Sequence, residues 1–135
     1  MRLIRLLAFL ALLPCAAIAQ QFEPPVVVIA AGSTAAITAT MPADTSPVLQ
    51  TNWLCGYDVE VYGGTAVVTP LTITGLLGGT MTIRKVLTSA ATGAGYTQTY
   101  TPCLIASAPA TAISVATTAD GTATSVTVQV WGFQK

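Results

Sequence analysis

Few residues in this chain have types and spacing suited to chemistry. The closest pair of carboxylates is Asp58 and Glu60, with Tyr62 next in the same alternating series. On an extended strand, residues two apart project from one face about 7 Å apart. That lies near the separations that glycosidases use between paired carboxyls. Such enzymes also hold one carboxyl protonated in an apolar pocket, and the neighbours of Asp58 and Glu60 supply none. Hard oxygen ligands of this kind also suit calcium, but the acids are scattered and no calcium-loop spacing occurs. Asp58, Glu60 and Tyr62 therefore stand as a weak polar site.

The chain contains no histidine, so the usual general base and commonest metal ligand is missing. No GxSxG elbow, Walker loop or GxGxxG run is present, and Gly93-Ala94-Gly95 reads as a flexible loop. Ser33 has no base partner in view. The expectation is a protein that is not an enzyme and holds no cofactor and no metal.

Three cysteines are present, and the first, Cys15, falls in a segment with its own logic. Arg2 and Arg5 give a positive start, residues 6–13 are apolar, and Ala17-Ile18-Ala19 is a small-x-small cleavage site. Residues 1–19 thus read as a secretory signal, with the mature chain starting at Gln20. The apolar run is too short for a spanning helix of about 20 residues, so no stable membrane span is expected after cleavage. Lipidation at Cys15 would require a small residue before it, where Pro14 stands. Cleavage leaves Cys55 and Cys103, an even pair that reads as a disulfide in an oxidising compartment. Closing that loop is worth about 4 kcal/mol in the chain-entropy model. The expected setting is secreted, periplasmic or cell-surface.

Residues 20–135 have the length of one domain. Arg84, Lys85 and Lys135 stand against Glu23, Asp44, Asp58, Glu60 and Asp120. No basic patch exists, so the electrostatic footprint of nucleic-acid binding is absent. Only 7% of the whole chain is charged, against roughly 25% in an ordinary soluble domain. The surface is then built largely from Thr, Ser, Ala and Gly, which hydrate yet cost little to desolvate against another surface.

The elements that must position these residues are strands. Glycines and prolines cut the chain into Thr- and Val-rich runs of 5–10 residues, without helical periodicity. Candidate strands are 26–30, 35–40, 48–51, 53–62, 66–74, 80–87, 96–103, 112–118 and 123–133, with loops at 41–47 and 88–95. The predicted fold is a single all-β antiparallel sandwich, jelly-roll or immunoglobulin-like, of about eight or nine short strands.

Three hairpin registers follow from matching apolar faces. Asp120-Gly121 predicts pairing of Val115 with Val126 and Ile113 with Val128. A loop at Gly63-Gly64-Thr65 predicts Val61 with Val67, Tyr57 with Leu71 and Cys55 with Ile73. It buries Cys55 and turns Asp58, Glu60 and Tyr62 outward. A five-residue loop, Gly75-Leu76-Leu77-Gly78-Gly79, predicts Ile73 with Met81 and Leu71 with Ile83, with two leucines at its tip.

Candidate contact residues are then Leu76 and Leu77, together with Trp131 and Phe133 on the side opposite Val126, Val128 and Val130. Trp53, Tyr57, Tyr62, Tyr96 and Tyr100 are further aromatic candidates. The run Val26-Val27-Val28-Ile29 could pair at a sheet edge. These features predict an exported structural or interaction module, a component of a surface appendage or virion-type assembly, with a protein partner or its own copies. The competing expectation is a carbohydrate- or ligand-binding module using the outward aromatics. A small outer-membrane β-barrel is a third, against which stand the Thr, Ala and Ser where lipid-facing residues would be large and apolar.

Overall fold

The computed structural model describes residues 25–34, 36–63, 67–88, 93–120 and 122–135. The expected signal segment, and Gly121, lie outside these residues. The described chain contains no helix and nine strands: β1 (Pro25–Thr34), β2 (Thr38–Met41), β3 (Asn52–Tyr62), β4 (Val67–Leu76), β5 (Gly79–Ile83), β6 (Leu87–Thr88), β7 (Ala94–Ile105), β8 (Ile113–Asp120) and β9 (Thr122–Gln134). They form two antiparallel sheets. One has the order β1-β9-β3-β7; the other runs β2-β8-β4-β5, with β6 also paired to β4.

Alternation explains the core. One face of each central strand is apolar, and the two faces meet. Leu54, Tyr57, Val59 and Val61 of β3 and Val126, Val128 and Val130 of β9 come from the first sheet. Leu71, Ile73 and Leu76 of β4, Ile113 and Val115 of β8, and Ala39 and Met41 of β2 come from the second. Each fully buried large side chain contributes about 1.5–3 kcal/mol of transfer free energy.

Two of the three expected hairpins are corrected. β8 pairs with β2 and β4, while β9 pairs with β1 and β3, so Ile113 and Val115 do not pair with Val126 and Val128. Likewise β3 lies in the first sheet and β4 in the second, so Val61, Tyr57 and Cys55 are not partners of Val67, Leu71 and Ile73. The physical reason is common to both. Matched apolar faces are satisfied equally well by side-by-side pairing or by facing each other across a core, and here the chain crosses between sheets at both turns. The third register holds, with Leu71 opposite Ile83 and Ile73 opposite Met81. Its turn is tighter than expected, because Leu76 still pairs with Gly79.

Residues 48–51 form no strand. The Asp44 carboxylate organises that loop, accepting bonds from Ser46 N–H at 2.9 Å, Ser46 Oγ at 2.6 Å and Gln50 N–H at 2.7 Å. The Ser46 hydroxyl and the two amides hold its pKa below the usual carboxylate value. The expected strand 80–87 is interrupted at residues 84–86, giving β5 and β6.

The central strand β3 turns over midway. Leu54 pairs with Gly132 and the next pair is Gly56 with Trp131, so Cys55 is an extra residue in the ladder. Before this bulge the core-facing positions are Asn52 and Leu54; after it they are Tyr57, Val59 and Val61, while Gly56 is buried on the other face beneath Trp131. On the other flank, residues 100–103 of β7 stand opposite Cys55 alone, around a cis Thr101–Pro102 peptide. The Cys55–Cys103 disulfide joins these two irregularities, with Cα atoms 4.3 Å apart. Cys55 is half-buried rather than buried, because the bulge removes it from the inward series.

Asn52, 1% exposed, closes one end of the sandwich. Its amide donates to Pro42 O and Thr111 O, both at 2.8 Å, and its Oδ1 accepts from Gln134 Nε2 at 3.0 Å. One side chain thereby ties the segment after β2 and the segment before β8 to the ends of β3 and β9. Asn52→Ala removes the side-chain donor to Thr111 O, leaves Pro42 O only the Gln134 Nε2 donor at 3.1 Å, and is predicted to cost about 2 kcal/mol, read as a lower midpoint in urea unfolding at unchanged slope.

Candidate functional site

The outward side chains of the first sheet form the principal surface feature. On β9, Val126, Val128 and Val130 point into the core, so Trp131 and Phe133 belong to the opposite side of the strand, half-buried. Trp53 of β3 pairs in register with Phe133, and their rings stack at 5.7 Å between centroids and 13° between planes. Trp131 lies across Gly56. A Cβ built there would come within 2.3 Å of the indole Cζ2, so glycine is what lets the ring lie against the sheet.

β1 extends this face. Val27 pairs with Trp131 and Pro25 with Phe133. Val26, Val28 and Ala30 pack against the core, leaving Val27 and Ile29 outward at 55% and 61% exposure. The face therefore runs from exposed aliphatic residues on the outermost strand to aromatic residues on the next two.

Further along β3 the same face turns polar. Asp58 is half-buried and accepts a bond from the Thr97 hydroxyl, while Glu60 and Tyr62 are exposed. Glu60 and Tyr62 line a shallow pocket of about 310 Å³ with Val61, Gly93, Ala94 and Gly95. Asp58 is not among its lining residues. No group of three or more metal-ligating side chains occurs among the described residues, so the pocket offers one carboxylate, one phenol and backbone groups. That arrangement can hold water or a polar ligand group.

The two leucines of the β4–β5 turn are divided by the fold. Leu76 is 5% exposed and joins the core, whereas Leu77 is 66% exposed. Leu76 plugs the end of the sandwich, and a bridge to Ala106 holds it there. Leu76 and Leu77 lie on β4 and its turn in the second sheet, apart from Trp131 and Phe133 in the first.

A second aromatic group sits inside. Tyr57 is fully buried, with Tyr96 and Tyr100 of β7 at 6.0 and 6.2 Å between centroids. Tyr96 donates to Gln98 Oε1 at 2.8 Å, and Lys85 Nζ sits 4.8 Å from the centre of the Tyr96 ring. Burial first, and then the neighbouring Tyr100 and Tyr96, pushes the Tyr57 pKa far above its ordinary value. Its hydroxyl makes no hydrogen bond.

Alternation along residues 123–133 was enough to place Trp131 and Phe133 on the non-core side. What it could not show was that Val27, Ile29 and Trp53 join them, because that depends on β1–β9 and β3–β9 pairing. Searches against protein-family models, curated proteins and solved structures return no match for this chain.

Removing the unpartnered hydroxyl tests the reading of the interior. Tyr57→Phe is predicted to stabilise the fold by about 1 kcal/mol, since it deletes an unsatisfied buried donor. Tyr57→Ala should cost roughly 3–5 kcal/mol through the cavity it leaves. Both are measurable by chemical denaturation.

Proposed function

We propose that the chain is an exported, non-enzymatic structural module that acts by joining its surface to copies of itself, as in a surface appendage or virion-type coat. The observation that carries this is the outer face of the first sheet. There Val27 and Ile29 stand exposed on an edge strand beside Trp131, Phe133 and Trp53. Contiguous exposed apolar surface of this kind marks interaction sites. The scarcity of charge, at 7% of the chain, lowers the cost of covering such a face.

Strand order supports the same reading. The orders β1-β9-β3-β7 and β2-β8-β4-β5 support a jelly-roll reading, because the chain passes between sheets at every connection except those joining β4, β5 and β6. This architecture recurs in viral capsid and lectin domains. Fold alone does not assign function, so it is the exposed face that selects assembly. The Cys55–Cys103 disulfide accords with an oxidising compartment and so with export through residues 1–19.

A second reading rests on a separate observation. Trp131 packs against Gly56 and Trp53 is stacked on Phe133, which offers aromatic surface suited to the apolar faces of sugars. The barrel reading gains no support, since the two sheets have open edges instead of closing into one cylinder.

Light scattering on the protein during size exclusion separates the first two. Assembly predicts a mass that rises with concentration to at least twice the monomer value of 13.8 kDa, less any cleaved signal. A monomer at every concentration would overturn it. Glycan-array binding that Trp131→Ala abolishes would favour the sugar-binding reading; a blank array counts against it.

A further inference from the structure

Among the described residues the edges are β1 and β7 in the first sheet, and β2 and β5, with the two-residue β6 beside it, in the second. Exposed edges carry unpaired backbone N–H and C=O groups, and proteins usually blunt them by shortness, charge, proline or bulges. β2 has only 4 residues. β5 has 5 residues, and exposed Arg84 and Lys85 follow it directly. β7 is broken at residues 100–103 by the bulge opposite Cys55, where Pro102 has no N–H to offer.

β1 has none of these guards along most of its length. From Pro25 to Gly32 it pairs with β9 residue for residue, and its irregularity comes only between Gly32 and Thr34. Its sequence, PVVVIAAGST, like those of the other edge strands, contains no charged side chain, but its one proline is the first residue and no charge follows it directly. Its outward residues Val27 and Ile29 run straight into the apolar face of Trp131 and Phe133. Other exposed apolar side chains, such as Val48, Leu77 and Val86, lie in loops and turns instead of on a strand.

We infer that β1 pairs antiparallel with β1 of a second copy, joining two four-stranded sheets into one continuous eight-stranded sheet. This rests on the self-assembly reading and names its contact. The partner is a second copy because of self-complementarity. Across a two-fold axis every side chain meets its own strand, and any charged residue would meet a like charge nearby. β1 presents only Pro, Val, Ile, Ala, Gly, Ser and Thr to itself.

The register follows from facing. Both copies must turn Val26, Val28 and Ala30 toward their own cores, so paired residues must match in parity, and the axis passes through a residue position. With the axis at Val28, Val27 of one copy lies opposite Ile29 of the other on the outer face. Val26 lies opposite Ala30 on the inner. Pro25 then falls at the end of the joined ladder, where its missing N–H is harmless.

Cysteine cross-linking tests the contact. Val27→Cys and Ile29→Cys place thiols at exposed sites that leave the core intact, and Thr97→Cys places one on the outer side of β7. Equimolar Val27→Cys and Ile29→Cys proteins, mildly oxidised at a concentration where light scattering shows a dimer, should form a mixed disulfide. The yield should exceed that of either variant with Thr97→Cys by at least about tenfold, the ratio given by 1.4 kcal/mol of preference. Mass mapping must show Cys55–Cys103 intact. Cross-links from β1 to Thr97→Cys, or a dimer without any β1 cross-link, would overturn this contact while leaving self-assembly standing. A monomer at all concentrations would overturn both.

Discussion

The whole arrangement depends on the point where β3 turns over at Cys55. β3 is central in its sheet and is paired on both sides. Residues on a strand alternate between faces with a period of two, so its phase decides what the core contains. Had the phase of Leu54 continued, Gly56, Asp58 and Glu60 would face inward, and Tyr57, Val59 and Val61 would face solvent. Burying two carboxylates without partners is prohibitive. One extra residue in the ladder avoids it, and the disulfide fastens the turnover point to the irregular stretch of β7.

The same turnover arranges the outer face. It puts Gly56 beneath Trp131 and keeps Trp53 against Phe133, so the aromatic residues lie along the sheet. Beyond the bulge, that face carries Asp58, Glu60 and Tyr62. Apolar and polar halves of one sheet surface thus meet at Cys55. The apolar half continues onto β1, the edge strand paired residue for residue from Pro25 to Gly32. A sparsely charged protein has few means of guarding its edges, and those means are found at β2, β5 and β7.

Much of this was legible in the sequence, for reasons that can be stated residue by residue. Alternation of Val126, Val128 and Val130 with Thr127, Gln129 and Trp131 placed each on its proper face. The outward facing of Asp58, Glu60 and Tyr62 was drawn from a pairing with β4 that the fold does not make, and it stands because Tyr57, Val59 and Val61 face the core in either case. The β4–β5 register was readable because its strands are true neighbours joined by a short glycine turn. The partners of β3, β8 and β9 were not readable. An apolar face requires another apolar face, but alternation does not say whether that lies beside it or across the core. The Cys55 bulge was hidden for a similar reason, since a phase change needs two partner strands to be seen. Nor was Asn52 distinguishable from a loop residue until Pro42, Thr111 and Gln134 gathered around it.

The central claim is that this domain works through an edge it leaves open, and amide hydrogen exchange addresses that edge without altering any residue. Exchange followed by mass spectrometry, over a concentration series from monomer to assembly, reports the outward amides of β1 directly. The account predicts that they slow as concentration rises, in step with the mass, while amides of β5 keep their rate. Exchange in β1 that stays the same across that series would contradict it.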